Sequence, residues 1–188
     1  MDYSKYQPLF ELIERELRTR KRTVLAIDGA AASGKTTLAK LLEERYGAAV
    51  VHMDDFFLPA KRKTEERLSQ FDGNIDRERF AAEVLPHIGR AEPFSYGRYD
   101  CSAGCVTSQV NVAPSNLAVV EGVYSLSPYF EGAYHLKLML TIDAQTQIER
   151  LRIRCTPEIF ENFKKIWLPL EERYFSMGKI KDKCDMVL

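Results

Sequence analysis

The stretch TVLAIDGAAASGKTT, residues 23–37, joins the pattern of a buried strand to a small-residue turn and the start of a helix. Residues 23–28 are mostly β-branched and apolar, which is typical of a strand covered on both faces. Residues 29–36 fit the pattern G-x-x-x-x-G-K-[ST] without a mismatch. Between a strand and a helix, this pattern predicts a phosphate-binding loop. A small-residue turn that binds no ligand is the alternative interpretation.

The predicted loop and the first turn of its helix supply the residues expected to bind a nucleotide. They are Gly29, Ala30, Ala31, Ala32, Ser33, Gly34, Lys35, Thr36 and Thr37. The glycines let the backbone wrap around a phosphate with its N–H groups pointing inward, and the helix N-terminus adds a favourable dipole. Lys35 can reach the β- and γ-phosphates, which makes it a candidate catalytic residue, and the Thr36 hydroxyl can bind Mg²⁺. The expected cofactors are therefore ATP and Mg²⁺.

Apolar runs alternate with helical patterns along the rest of the chain. Further strand-like runs cover residues 48–53, 117–120, 136–142 and 184–188, and helical patterns cover residues 8–20, 35–46, 77–88, 144–154 and 157–176. This alternation predicts one α/β domain over residues 1–188, a three-layer sandwich of the P-loop NTPase type. Its sheet is mainly parallel and five-stranded, with helices on both faces. Residues 89–116 predict loops or a small antiparallel insert.

Composition and charge exclude several classes of partner. The chain has 188 residues, with 27 Lys and Arg balanced by 27 Asp and Glu, so no basic excess indicates a nucleic-acid binder. No apolar run approaches the roughly 20 residues of a membrane helix. The N-terminus carries charge throughout and lacks a secretory apolar core, so a cytoplasmic protein is expected. The four cysteines are interpreted as plain thiols.

Carboxylates follow two of the predicted strands. Asp54 and Asp55 come after residues 48–53, and Glu121 comes after residues 117–120. Parallel strands bring their carboxyl ends to one edge of a sheet, so these groups are expected beside the phosphate loop. Phosphoryl transfer to a hydroxyl needs a group that accepts the proton. Neighbouring strand residues point to opposite sides, so if Asp54 faces the loop, Asp55 is predicted to face away. A turn-capping role is the alternative for both.

Other P-loop classes lack their signatures in this sequence. The guanine-reading segment N-K-x-D, the switch segment D-x-x-G and the transport-ATPase segment L-S-G-G are absent. The small-molecule kinases remain. A regulatory nucleotide-binding protein that turns over no acceptor is a rival, although such a protein needs neither a base nor an acceptor pocket.

The chain resembles the uridine kinase branch of the phosphoribulokinase/uridine kinase family in six motifs that occur in order: GAAASGKTT, MDDFF, FDGNID, YDC, VVEGVY and DAQTQIERLRIR. The resemblance implies that Asp54 is the catalytic base and that Glu121 lies near Mg²⁺. Thr36, Asp54 and Glu121 are therefore the expected oxygen groups around the metal. The resemblance also implies that Arg150 and Arg154, on one face of a helix, act on the phosphates from a lid at residues 150–166. Solvated helix arginines are the alternative.

The resemblance implies an acceptor site within residues 54–116. Asp76 matches the residue that holds ribose hydroxyls, and Tyr99 matches the residue that packs on the base, while Phe57 stands where the family has tyrosine. Gly104 and Cys101 replace family residues at the base, so the same pyrimidine should not be selected in the same way. We expect transfer of the γ-phosphoryl of ATP to a small hydroxyl acceptor, a nucleoside like uridine or cytidine. Pantothenate and sugar phosphates are alternative acceptors, and a homo-oligomer is left open.

Overall fold

In the computed structural model, which describes residues 3–188, seven strands form two sheets. They are β1 (Thr23–Gly29), β2 (Ala49–His52), β3 (Phe94–Asp100), β4 (Cys105–Val112), β5 (Leu117–Glu121), β6 (Leu136–Leu140) and β7 (Met186–Val187). The main sheet has five strands in the order β2-β5-β1-β6-β7, and every neighbouring pair is parallel. The five-stranded parallel sheet predicted from the sequence is confirmed.

Eight α-helices accompany the strands in the described residues. They are α1 (Gln7–Thr19), α2 (Lys35–Tyr46), α3 (Glu65–Ser69), α4 (Arg77–Glu83), α5 (Leu85–Ile88), α6 (Ala144–Arg154), α7 (Pro157–Asn162) and α8 (Leu168–Gly178). No helix within residues 3–188 combines the length and the apolar character that crossing a membrane requires.

The central strand β1 separates two hydrophobic cores. Val24 and Ala26 pack into one core with residues of α4, α5 and α8, whereas Leu25 and Ile27 pack into the other with residues of α1 and α2. All four side chains are fully buried. Burying a valine, leucine or isoleucine side chain contributes about 1.5–3 kcal/mol. Since both faces of the sheet are covered by helices, the molecule is the predicted three-layer sandwich.

The predicted helices between and after the strands are interrupted. The pattern over residues 77–88 forms α4 and α5, which meet at Val84, with Pro86 near the start of α5. The pattern over residues 157–176 forms α7, a π-helical turn at Phe163–Trp167, and α8. Proline has no backbone N–H, so it is tolerated only in the first turn of a helix.

The segment over residues 89–116 forms an antiparallel hairpin. Strands β3 and β4 pair with each other in a sheet of their own, with an irregularity in register between Arg98 and Tyr99. Of the two interpretations left open by the sequence, the small antiparallel insert is confirmed.

Candidate active site

A cavity of about 670 Å³ lies where β1, β2 and β5 end. This volume is in the range of ligand pockets. The predicted site residues in its lining are Ala31, Ala32, Ser33, Gly34, Lys35, Thr36, Thr37, Asp54, Phe57, Glu121, Arg150 and Arg154. The structure therefore brings together residues that are more than a hundred positions apart in the chain.

The loop between β1 and α2 has the backbone shape of an anion site. Gly34 has φ +102°, and Ala32, although not glycine, has φ +62°. At Gly29, an added Cβ would lie 2.2 Å from the carbonyl oxygen of Leu140, so no side chain fits there without a backbone shift. Gly29 and Ala30 lie beneath the loop, outside the cavity lining. When residues with left-handed backbone conformation follow residues with right-handed conformation, successive N–H groups point toward one position. This is the geometry that binds a phosphate.

The polar side chains of the loop are available to an anion. Lys35 Nζ donates hydrogen bonds to the carbonyl oxygens of Gly29 at 2.8 Å and Ala30 at 2.9 Å, which hold its ammonium group over the loop. Ser33 Oγ is buried and has no hydrogen-bond partner in the described part of the chain. A buried hydroxyl without a partner is costly, so a bound phosphate oxygen would satisfy it. These features fit a polyphosphate.

Asp28, the residue before the loop, is fully buried and holds the start of the loop in position through hydrogen bonds. Its carboxylate accepts hydrogen bonds from the backbone N–H of Gly29 at 2.7 Å and of Leu126 at 2.9 Å. The Tyr174 hydroxyl also donates to it at 2.7 Å. Burial raises the pKa of Asp28 to about 6 despite these three donors.

Asp54 and Asp55 lie in a 3₁₀ turn, Met53–Phe56, rather than at the end of a strand. Strand β2 ends at His52, so the alternation on which their predicted orientations were based does not apply. The turn nonetheless separates them. Asp54 lines the cavity, and Asp55 is buried outside the lining, where it accepts a hydrogen bond from the Tyr96 hydroxyl at 3.0 Å.

The environment of Asp54 raises the pKa of its carboxyl above the ordinary value. Its side chain is exposed to the cavity, while the protein groups around the cavity partly bury its carboxyl. This burial, followed by the negative charge of Glu121, raises the pKa of Asp54, while the Lys35 ammonium opposes the shift. A raised pKa is what a carboxylate needs to accept a proton near neutral pH.

Glu121 lies between the loop and β2. Its Oε1 accepts a hydrogen bond from the Thr36 hydroxyl at 3.1 Å and lies 2.6 Å from His52 Nδ1, which raises the pKa of His52. Hydroxyl and carboxylate oxygens are the donors that Mg²⁺ prefers. Within residues 3–188, no group of three or more His, Cys, Asp or Glu side chains could hold a metal ion. The oxygen set at Thr36, Asp54 and Glu121 fits an ion that enters with phosphates, as Mg²⁺ usually does.

Both predicted lid arginines lie on α6 and line the cavity. Arg150 Nη1 donates a hydrogen bond to the Ala32 carbonyl oxygen at 2.9 Å. Arg152, between them, has its guanidinium 5.6 Å from the centre of the Phe160 ring and is absent from the lining. The four-residue spacing of Arg150 and Arg154 therefore brings both onto the cavity side, as expected for one helix face.

Two predicted acceptor residues are not brought to the cavity. Asp76 is buried, accepts a hydrogen bond from the backbone N–H of Arg79 as the cap of α4, and forms an ion pair with Arg62 at 2.5 Å. Its carboxylate is thus engaged by protein groups. Tyr99 lies on β3, after the irregularity in the hairpin, and is absent from the lining. Of the three predicted substrate residues, only Phe57 lines the cavity.

Other cavity residues were not among the predicted site residues, although Cys101 was expected near the base and Ile159 and Phe163 fall within the predicted lid at residues 150–166. They are Lys5, Tyr6, Asn74, Cys101, Gly122, Val123, Tyr124, Ile159, Phe163, Trp167 and Glu171. The last four recur every four positions along α7, the π-helical turn and α8. That spacing on one helix face was the sequence signal that could have found them. They give the cavity an apolar wall that ends in a carboxylate.

No protein-family model and no curated protein sequence matches the chain. Its structure is similar to that of a possible uridine kinase from Bacillus stearothermophilus, with 21% sequence identity, a TM-score of 0.67, and coverage of 97% of this chain and 100% of that one. It is also similar to a protein described as a fructose transport system kinase from a Silicibacter species, with 21% identity, a TM-score of 0.61, and coverage of 94% and 95%. The resemblance seen in the motifs is thereby confirmed for the fold: the chain has the P-loop NTPase-like fold that these two structures share.

Proposed function

We propose that this protein is an ATP- and Mg²⁺-dependent kinase that transfers a phosphoryl group to a hydroxyl of a small molecule. One observation carries the proposal. The phosphate loop, the two arginines of α6 and the carboxylate of Asp54 line the same cavity. Phosphoryl transfer depends on positioning and on stabilisation of charge, with one further group to receive the hydroxyl proton. A protein that only binds a nucleotide needs no carboxylate such as Asp54 in that position.

The cationic side chains of the cavity stabilise the charge that develops during transfer. Bound ATP would supply the phosphoryl group, and Thr36 and Glu121 would hold Mg²⁺, which would neutralise phosphate charge. Lys35 is fixed by two loop carbonyls, so its ammonium group is in place before a substrate arrives. Arg150 and Arg154 approach the loop from the other side of the cavity. Preorganised charges of this kind lower a barrier because they need no reorganisation during the reaction.

Asp54 is proposed to accept the proton of the acceptor hydroxyl. Its pKa is raised by burial and by Glu121, which strengthens its affinity for a proton. The proton moves from the hydroxyl oxygen to the Asp54 carboxylate as that oxygen attacks. Deprotonation is needed late in such a loose transfer, so a carboxylate suffices.

A nucleoside is the proposed acceptor class. Phe57, Tyr124 and Trp167 line the cavity, and aromatic faces of this kind suit a flat base. The neighbour described as a possible uridine kinase points the same way. With Asp76 and Tyr99 outside the lining, the contacts to ribose and base must differ from those implied by the family motifs. Sugars are the second candidate, because the other neighbour is described as a fructose transport system kinase.

The proposal is tested by release of ADP from ATP and Mg²⁺ in the presence of single acceptors. The panel contains nucleosides, sugars, sugar phosphates and pantothenate. We expect a nucleoside to stimulate ADP release, and Lys35→Ala to abolish the stimulation. If sugars stimulate ADP release and nucleosides do not, the acceptor is a sugar, the second candidate. ATP binding without stimulation by any acceptor would support a regulatory nucleotide-binding protein and refute the kinase.

A further inference from the structure

Glu171 is a buried carboxylate in the wall of the cavity to which the proposed reaction gives no role. The residue is 7% exposed. Its Oε2 accepts a hydrogen bond from the backbone N–H of Ala31, within the phosphate loop, at 2.9 Å. It forms no salt bridge with any cation of the described chain. A carboxylate thus engages an N–H group of a loop built for anions.

Helix α8 holds this carboxylate in place. Tyr174, one turn after Glu171, donates its hydroxyl to Asp28 at the root of the loop. The helix is therefore bonded to the loop at two points, Ala31 and Asp28, on either side of Gly29. Because Tyr174 and Asp28 are both fully buried, Glu171 cannot leave the loop by a movement of α8 alone without breaking a buried hydrogen bond.

The surroundings of Glu171 are mostly unfavourable to its negative charge. Burial, together with the carboxylates of Asp28 and Asp54, raises the pKa of Glu171 to about 7, while the Ala31 N–H and the Lys35 ammonium oppose the rise. The groups that face it or share its cavity are Lys35 on α2, Asp28 on β1, Asp54 on the turn after β2, Glu121 and Tyr124 after β5, and Arg150 and Arg154 on α6. Lys35 bonds to the loop carbonyls rather than to Glu171.

We propose that Glu171 is an internal anion of the phosphate loop that becomes neutral when a polyphosphate binds, so that nucleotide binding takes up one proton at this residue. The inference rests on the proposed nucleotide site. A triphosphate brings several negative charges to the loop, and a nearby negative charge favours the protonated form of a carboxyl. A proton from solvent joins Oε1, Oε2 continues to accept the Ala31 N–H, and the new O–H is able to donate to a phosphate oxygen. Glu171 is thus a positioning residue that sets the charge of the loop.

The first test compares the dissociation constant of Mg·ATP for the wild type, Glu171→Gln and Glu172→Gln. Glutamine mimics the neutral form of Glu171, and Glu172 is the exposed neighbour on the same helix, which makes it a matched control. At about pH 8, Glu171→Gln should bind about fivefold more tightly than the wild type, the difference expected when binding raises the pKa of this carboxyl by about one unit from about 7. At about pH 6 the two should agree within about twofold, because the carboxyl is already protonated. Glu172→Gln should follow the wild type at both pH values.

The second test counts the protons taken up on binding, by calorimetry in buffers of different ionisation enthalpy. If Mg·ATP raises the pKa of Glu171 by about one unit, the wild type should take up about half a proton at about pH 7.5 after subtraction of the nucleotide's own titration. Glu171→Gln should take up no proton at residue 171, because an amide does not titrate in this pH range. Because Asp54 and His52 also have raised pKa values, uptake is assigned to Glu171 only by the difference between the wild type and Glu171→Gln. Absence of excess uptake in the wild type refutes the inference even if the variant does not fold.

The outcomes separate this inference from the proposed function. ATP binding with the same pH dependence in wild type and Glu171→Gln, and without excess proton uptake, refutes the role of Glu171 and leaves the nucleotide site intact. Failure of the wild type to bind Mg·ATP at any pH refutes the nucleotide site itself, and this inference with it. A loss of affinity in Glu171→Gln at both pH values shows a structural contact only and also refutes the inference.

Discussion

Replacing Asp54 by asparagine should separate catalysis from stability. Asparagine keeps the size of the side chain but cannot accept the acceptor's proton, so kcat should fall about a hundredfold or more. The stability of the folded protein should not fall. Burial and the charge of Glu121 make an ionised Asp54 unfavourable in the folded protein, as its raised pKa indicates. The neutral amide removes that repulsion, so the free energy of unfolding should stay unchanged or rise slightly.

The neighbouring Asp55 provides the matched control, because it should show the opposite pattern. Its carboxylate accepts the Tyr96 hydroxyl at 3.0 Å and lies 3.2 Å from Arg98 Nε, in a buried position outside the cavity. Asp55→Asn keeps an oxygen for Tyr96 but loses the charge opposite Arg98, whose side chain is 51% exposed. A hydrogen bond to a charged group contributes about 1.5–3 kcal/mol, and solvent at Arg98 reduces the ionic part, so we expect a loss of about 1–2 kcal/mol. The kcat should remain within about tenfold of the parent.

Two measurements on each variant decide the matter. Urea denaturation gives the free energy of unfolding, and ADP release with the preferred acceptor gives kcat. Asp54→Asn should have a low kcat and parental stability, and Asp55→Asn should be active and less stable. A larger loss of kcat in Asp55→Asn, or parental kcat in Asp54→Asn, would refute the assignment of the base.

Lys35→Ala should remove most activity in the ADP-release assay, because the ammonium group fixed by the loop carbonyls acts on the phosphates. Retention of the parental kcat would mean that the phosphates bind away from Lys35. Arg150→Ala and Arg154→Ala should lower kcat more than they raise KM for ATP, because their contacts strengthen as charge develops. An increase in KM alone would mean that they only bind the ground state. Burial raises the pKa of Asp28 from 3.8 to about 6, so between pH 3.8 and about pH 6 the folded protein holds more protons at this residue than the unfolded chain does. The free energy of unfolding should therefore fall as the pH rises through this range, and Asp28 should contribute about 3 kcal/mol to the fall. Urea denaturation at the two ends of this pH range should show a smaller fall in the free energy of unfolding for Asp28→Asn than for the wild type. An equal fall in both proteins would contradict the raised pKa of the buried carboxyl.

The sequence predicts the main sheet well because each of its inner strands is covered on both faces. Strand β1 is apolar at every position from Val24 to Ile27, and alternate residues enter different cores. Such a strand has a signal that does not depend on knowing its partners. The breaks at Val84 and at the π-helical turn depend on tertiary packing and on the placement of proline, so the periodic patterns missed them.

The part of the site at the ends of the strands was also accessible from the sequence. Parallel strands bring Lys35, Asp54 and Glu121 to one edge whatever the loops do between them. The contacts of Glu171 and Asp28 were not accessible, because Tyr174 lies 146 positions from Asp28 and Glu171 lies 140 positions from Ala31. Nothing in the local pattern distinguishes Glu171 from the exposed Glu172.

The acceptor residues show the limit of matching motifs in loops. Asp76 has the expected neighbours in sequence, yet Arg62, from an adjoining loop segment, pairs with its carboxylate, and α4 uses it as a cap. Tyr99 follows an irregularity in the hairpin register that shifts the strand relative to its partner. Loop conformation, rather than residue type, decides which side chains reach the cavity.

A structure of the protein with Mg²⁺, a non-hydrolysable ATP analogue and the best acceptor of the panel tests the central claim most directly. The triphosphate should lie in the loop over residues 29–36, beside Lys35, Arg150 and Arg154. The acceptor hydroxyl should lie within hydrogen-bond distance of Asp54 and in line with the terminal phosphate. A triphosphate bound outside the loop, or an acceptor hydroxyl remote from Asp54, would contradict the account.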